Sequence, residues 1–169
     1  MEIITIESLI KEVKQCLKNE CALAALIVAL TIPDICGKIL YPNDSNSQRY
    51  KKWFNKYIGD YEQSIIDKEK PKDEQMPYMN GDVFYKLRCA ILHEGSDDIS
   101  SKINIHEFNL CYNRSARLEN TSILKRTDYL VNESVIEYSK VIVWNINVYY
   151  LCEKIIYATE IFLKSKNKC

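Results

Sequence analysis

Two side chains able to do chemistry stand close together in the run "YKLRCAILHEG", Tyr85 to Gly95: Arg88 and His93. Arginine presents a planar fork of donors suited to carboxylate or phosphate. Imidazole exchanges protons near neutral pH. Glu94 follows the histidine directly and is placed to orient an imidazole or to be solvated. The second histidine of the chain, His106, falls in a strand-like stretch and reads as a surface residue. A further run interleaves Arg49, Lys51, Lys52 and Lys56 with Tyr50, Trp53, Phe54 and Tyr57. Cations beside aromatic rings suit RNA through phosphate contact and base stacking. The same aromatics recur at helical spacing, as a core face does, so Arg49 and Lys52 are RNA-contact candidates against that structural alternative. Arg114, Arg117, Lys125 and Arg126 form a second basic segment with the same two readings. Neither a Gly-rich phosphate loop nor a Ser/His/Asp arrangement is visible, and no metal-ligand spacing occurs. No cofactor is expected.

The elements that must position these residues follow from periodicity. On a helical wheel at about 100° per residue, Val83, Phe84, Leu87, Ala90 and Ile91 form a broad core face. Tyr85, Cys89 and Leu92 form a second, narrower apolar stripe with Arg88 at its edge. Two apolar faces require two neighbours, the second being another helix of the chain or another subunit. Asn80 is a plausible N-cap for this helix and Gly95 a stop just past its end. Upstream, Ile6, Leu9, Ile10, Val13 and Leu17 share one face of a first helix. "CALAALIVALTIPDICGKIL" reads as a central helix buried all round, kinked or restarted at Pro33. Its apolar run is too short for a membrane span, so no membrane contact is expected. Ser45 or Ser47 caps a short helix over "RYKKWFNKYI". The charged stretch from about Gly59 to Met79, with Pro71 and Pro77, reads as a flexible loop.

Beyond the motif, "INIHEFNLCYN" and "YSKVIVWNI" have strand character, joined by a polar and basic connection. From Asn147, a long amphipathic helix lines up Val148, Leu151, Cys152, Ile155, Ile156, Thr159, Phe162 and Leu163. The fold class expected is mainly α: a bundle of four to five helices with a small antiparallel β-hairpin, in a single domain over residues 1–169. The chain of 169 residues balances 23 basic against 23 acidic side chains, so any nucleic-acid binding must come from a local patch. Seven cysteines without paired spacing read as reduced thiols in a cytoplasmic protein.

Arg88-Cys-Ala-Ile-Leu-His93 fits the R-x4-H form of the motif that marks the HEPN superfamily, and "YKLRCAILHEG" resembles the motif helix of its small bacterial members. The likeness extends to an apolar helix before the motif, a charged loop, and a long amphipathic last helix. It implies a homodimer of helical bundles in which two arginines and two histidines share a cleft and cut RNA without a metal. By that likeness Arg88 holds the scissile phosphate and His93 moves protons, leaving a 2′,3′-cyclic phosphate. A toxin or phage-defence role, with an antitoxin or neighbouring-gene partner, is the expectation. In one respect the chain departs from the family. Active members commonly carry Asn, His or Asp after the arginine, whereas Cys89 stands here, and a thiol is a weak hydrogen-bonding substitute. The alternative is a catalytically inactive HEPN-like dimer that binds nucleotide, RNA or a protein partner.

Overall fold

The computed structural model describes residues 5–72, 74–75, 77–94, 98–100, 105–114, 121–131 and 135–166; positions 93–94, 98–100, 105–107, 121–131 and 135–143 are described by their backbone alone. Helix α1 (Ile6–Lys18) opens with a reciprocal cap between Thr5 and Ser8 and buries Ile10, Val13 and Leu17. Helix α2 (Ala22–Ala29) and helix α3 (Ile32–Leu40) divide the long apolar stretch, with Pro33 in the first turn of α3. There its missing N–H costs no helical bond. The apolar run is longer than expected, because α3 extends it past Pro33: Ala22–Leu40 has 19 residues and a mean hydropathy of 2.0, long and apolar enough to cross a membrane by length and composition alone. It is not buried all round as its composition suggests: Leu23, Ile27, Ile35 and Ile39 are exposed while Leu26, Leu30, Ile32 and Cys36 are fully buried.

Helix α4 (Asn46–Phe54) is capped by Ser45, whose hydroxyl accepts from the Gln48 N–H, and continues as a wider helical turn over Asn55–Gly59. Two short helices follow, α5 (Asp60–Glu62) and α6 (Ile65–Lys68), where a loop was expected. Local polar bonds account for the difference. The Ser64 hydroxyl accepts from the Asp67 N–H at 3.1 Å, and Gln63 donates to Gln75 at 2.9 Å. Gln75 in turn donates to the Lys70 carbonyl at 2.9 Å. Helix α7 (Gly81–Cys89) runs on through a wider turn at Ala90–Glu94 and carries the motif.

The sheet pairs four strands: β1 (Asp98–Ser100), β2 (Ile105–Cys111), β3 (Thr121–Val131) and β4 (Val135–Asn147), in the order β1-β2-β4-β3. The antiparallel hairpin is β3–β4, from Thr121 opposite Asn145 to Val131 opposite Val135. Half of the polar connection is therefore strand, consistent with the β-branched and aromatic residues in "TSILKRTDYLV". The two stretches with strand character do not form the expected hairpin with each other: β2 lies parallel to β4, with Phe108 opposite Trp144, because β3 occupies the antiparallel edge of β4. The chain is thus mainly helical with a small sheet, as its sequence pattern predicts.

Helix α8 (Val148–Lys166) closes the core and buries Val148, Leu151, Cys152, Ile155, Ile156, Thr159 and Phe162, the face its periodicity predicts. The six described cysteines are free thiols. Burial pushes the Cys36 and Cys152 thiols from an ordinary 9.0 up to about 12. A raised folded-state pKa on an acid stabilises the fold fully below the unfolded value and loses that contribution as pH rises towards the folded value. Unfolding free energy from urea titrations should hold its thiol contribution up to about pH 8, then fall by about 1 kcal/mol per buried thiol at pH 10. Cys36→Ala should remove its share of that slope; an unchanged slope would contradict the assignment.

Candidate functional site

Arg88 sits in the last turn of α7. The helix begins at Asn80, whose side-chain oxygen accepts from the N–H groups of Asp82 at 3.0 Å and Val83 at 3.1 Å. Val83, Phe84, Leu87 and Ala90 turn into the core, as the wheel predicts. That orientation leaves Tyr85, Arg88 and Cys89 on the flank, half-buried. The neighbour on that flank is α4 of the same chain. Tyr85 meets the fully buried Tyr50 edge-on, ring centroids 5.5 Å apart. The Arg88 guanidinium carbon lies 5.9 Å from the centroid of each ring, within cation–π range.

The guanidinium does have a charged partner. Asp34, on α3, places Oδ2 3.7 Å from Arg88 Nη2. Its other oxygen, Oδ1, accepts a hydrogen bond from Arg49 Nε at 2.8 Å. One carboxylate therefore serves two arginines from α4 and α7, and one positive charge is left in surplus. Three buried side-chain atoms lack a hydrogen-bond partner among the described residues: Arg88 Nε and the Tyr50 hydroxyl here, and Trp53 Nε1 one turn further along α4. Burial raises the Tyr50 phenol far above its ordinary pKa, against a lowering by Arg88, so the hydroxyl keeps its proton and remains a donor.

Two glycines allow this convergence. A Cβ on Gly37 would stand 2.6 Å from the Arg49 carbonyl oxygen, and one on Gly81 2.6 Å from that of Lys51. Both are closer than a side chain can approach, so α3 and α7 reach the backbone of α4 only because these positions lack one. The Gly81 N–H also donates to Asn55 Oδ1 at 2.6 Å.

The remaining candidates separate. His93 and His106 have described backbones, in the turn after α7 and in β2, but their side chains lie outside the described residues, as does that of Glu94. Gly95 and Arg117 fall outside them altogether. Lys52 pairs with Asp44 at 2.7 Å. Arg114, after β2, rests over the Tyr149 ring at 5.8 Å. Tyr50, Trp53 and Phe54 are fully buried and serve the core, so they offer no stacking platform. Among the described basic candidates, Arg49 joins Arg88 at Asp34, and the side chains of Arg117, Lys125 and Arg126 lie outside the described residues. Asp34, their shared partner, was not singled out by the sequence reading; its place just after Pro33 in a helix start was the one available signal. Among the described residues, no three His, Cys, Asp or Glu side chains are grouped to hold a metal.

No known family model, curated protein or solved structure matches this chain.

Removing the shared carboxylate should be costly. Asp34→Ala should lower unfolding free energy by about 2–3 kcal/mol, below the usual 3–5 kcal/mol for orphaning a buried ion, because Asp34 and Arg88 keep 21% and 18% of their side-chain surface exposed. Gly37→Ala should cost about 1–3 kcal/mol by overpacking. Urea denaturation measures both; a change under 0.5 kcal/mol, roughly the level of ordinary surface substitutions, would contradict the packing described.

Proposed function

We propose that the chain is a HEPN-like cytoplasmic protein that engages RNA phosphate at Arg88 and acts as a metal-independent endoribonuclease of toxin or phage-defence type. The observation that supports this best is the surplus positive charge around Arg88, which shares its one carboxylate, Asp34, with Arg49. A phosphate oxygen is the acceptor such a group suits. In this reaction the ribose 2′-oxygen attacks phosphorus and gives up its proton to a base. The bond to the 5′-oxygen breaks, and that oxygen takes a proton from an acid. A 2′,3′-cyclic phosphate remains. His93 supplies the proton transfers, with a second His93 from a partner copy available for the opposite role in a homodimer. Arg88 neutralises charge developing on the phosphate, with Arg49 beside it.

One observation favours a second reading. Asp34 already holds Arg88, and Cys89 follows it. A site in that condition suits a catalytically inactive HEPN-like dimer that binds nucleotide, RNA, or a protein partner such as an antitoxin or neighbouring-gene product.

Activity separates the two. The ribonuclease reading expects cleavage of single-stranded RNA in EDTA, cyclic phosphate ends, and no cleavage where the 2′-hydroxyl is missing. His93→Ala should lower the rate about 10²- to 10⁴-fold, and Arg88→Ala should cause a loss of similar order. An inactive wild type with an active Cys89→Asn variant would mark a site silenced by that cysteine. Inactivity of both on a broad RNA panel would favour the binding module. Light scattering at micromolar concentration should give twice the chain mass, and Leu92→Glu should halve it; a monomeric wild type would overturn the composite site.

A further inference from the structure

A second site lies away from the motif helix. A groove of about 610 Å³ runs between α8 and the segment from Lys56 to Glu62, within the size range of small-ligand sites. Its α8 wall is the face that the core does not use. Tyr150, Lys154 and Tyr157 follow one another at four- and three-residue steps, which places them in one stripe. Tyr57 and Tyr61 form the opposite wall. Tyr61 is 82% exposed and Tyr157 67% exposed. Large rings left in water on both sides of one cleft offer stacking faces for a planar ligand.

The charges specify that ligand further. Lys154 donates to Glu62, and its ammonium lies 4.3 Å from the Tyr150 ring centroid. Burial, the largest single effect, lowers its pKa, but the hydrogen bonds and charges of Glu62 and Tyr150 together outweigh it and the net shift is upward, so it stays charged. That pair is neutral as a unit. Lys56 rests 5.4 Å from the Tyr57 ring centroid and has no carboxylate in ion-pair range among the described residues. The groove therefore combines aromatic faces with one unmatched cation. An aliphatic helix would find few aliphatic walls there, whereas a flat ring joined to an anion matches both features.

We infer that this groove binds a nucleoside phosphate, with its base stacked on Tyr61 or Tyr157 and its phosphate at Lys56. The inference goes beyond the proposed cleavage and does not depend on Arg88. The same chemistry is offered by a free mononucleotide and by one unit of a polynucleotide.

Calorimetric titration of the full chain at low salt tests it, using AMP, adenosine, ribose 5-phosphate and an octamer of adenylate. AMP or the octamer should bind. Adenosine and ribose 5-phosphate should each bind at least about tenfold more weakly than AMP, since each lacks half of the recognition. Octamer binding that AMP cannot displace and that Tyr157→Ser weakens would identify the polynucleotide as the source. Tyr157→Ser should weaken binding by roughly fivefold to a hundredfold. Lys56→Glu should weaken it and flatten its salt dependence. Both side chains are exposed, and circular dichroism should confirm that the variants fold. AMP binding is measured without any cleavage, so failure here and failure of RNA cleavage are read separately. The inference is overturned if neither AMP nor the octamer binds at millimolar concentration, or if ribose 5-phosphate binds as well as AMP. It is equally overturned if Tyr157→Ser binds like wild type.

Discussion

A single carboxylate shared by two guanidiniums constrains the helical half of this protein. Asp34 reaches Arg49 from one oxygen and Arg88 from the other, and so ties α3, α4 and α7 at one point. A buried guanidinium without a partner is strongly destabilising. The packing around the point is arranged accordingly. Gly37 and Gly81 let two helices touch the backbone of α4. Tyr50 and Tyr85 stand against the Arg88 guanidinium, and Phe54 stacks on Phe84 at 4.1 Å below them. α4 is thus both the aromatic centre of the core and the source of the second arginine.

This arrangement changes the meaning of the second apolar stripe on the motif helix. Tyr85 is partly satisfied within the chain by Tyr50 and by Lys51, whose ammonium lies 5.5 Å from its ring centroid. Among the described residues, exposed large apolar side chains lie elsewhere, on α2–α3, in the Lys56–Lys68 segment and on the outer face of α8. With no net charge on the chain, recognition of an anion must be local. Arg88 and Arg49, which share one carboxylate, and Lys56, which has none in ion-pair range among the described residues, each stand at a cluster that includes tyrosine rings.

What could be read from the sequence was local or periodic. The buried face of α8, the core face of α7 and the caps at Ser45 and Asn80 depend on residues within a turn or two of one another. The mainly helical class followed from them. The ring face of α4 was legible as core for the same reason. Contacts between distant segments were not legible. Asp34 is 15 residues from Arg49 and three helices from Arg88, and no spacing rule joins them. The charged stretch after Gly59 has loop composition, and its short helices rest on a local cap at Ser64 and on the Gln63–Gln75 bond, whose two ends lie 12 residues apart. In the sheet, strand character in "TSILKRTDYLV" was masked by its lysine, arginine and aspartate, and pairing with β4 decides it. The exposed side of α2–α3 was hidden by an apolar composition that looks the same whether a face is buried or open.

The central claim is that Arg88, though held by Asp34, keeps the capacity to take a phosphate. The Nε–H resonance of Arg88, identified by its loss in Arg88→Lys, measures this directly by ¹⁵N-resolved NMR. Phosphate added at constant ionic strength should shift that resonance saturably, with the Arg49 Nε–H moving alongside it, while matched chloride leaves both in place. Resonances that ignore phosphate, or that respond to chloride in the same way, would show that Asp34 satisfies both arginines and that the cluster is purely structural.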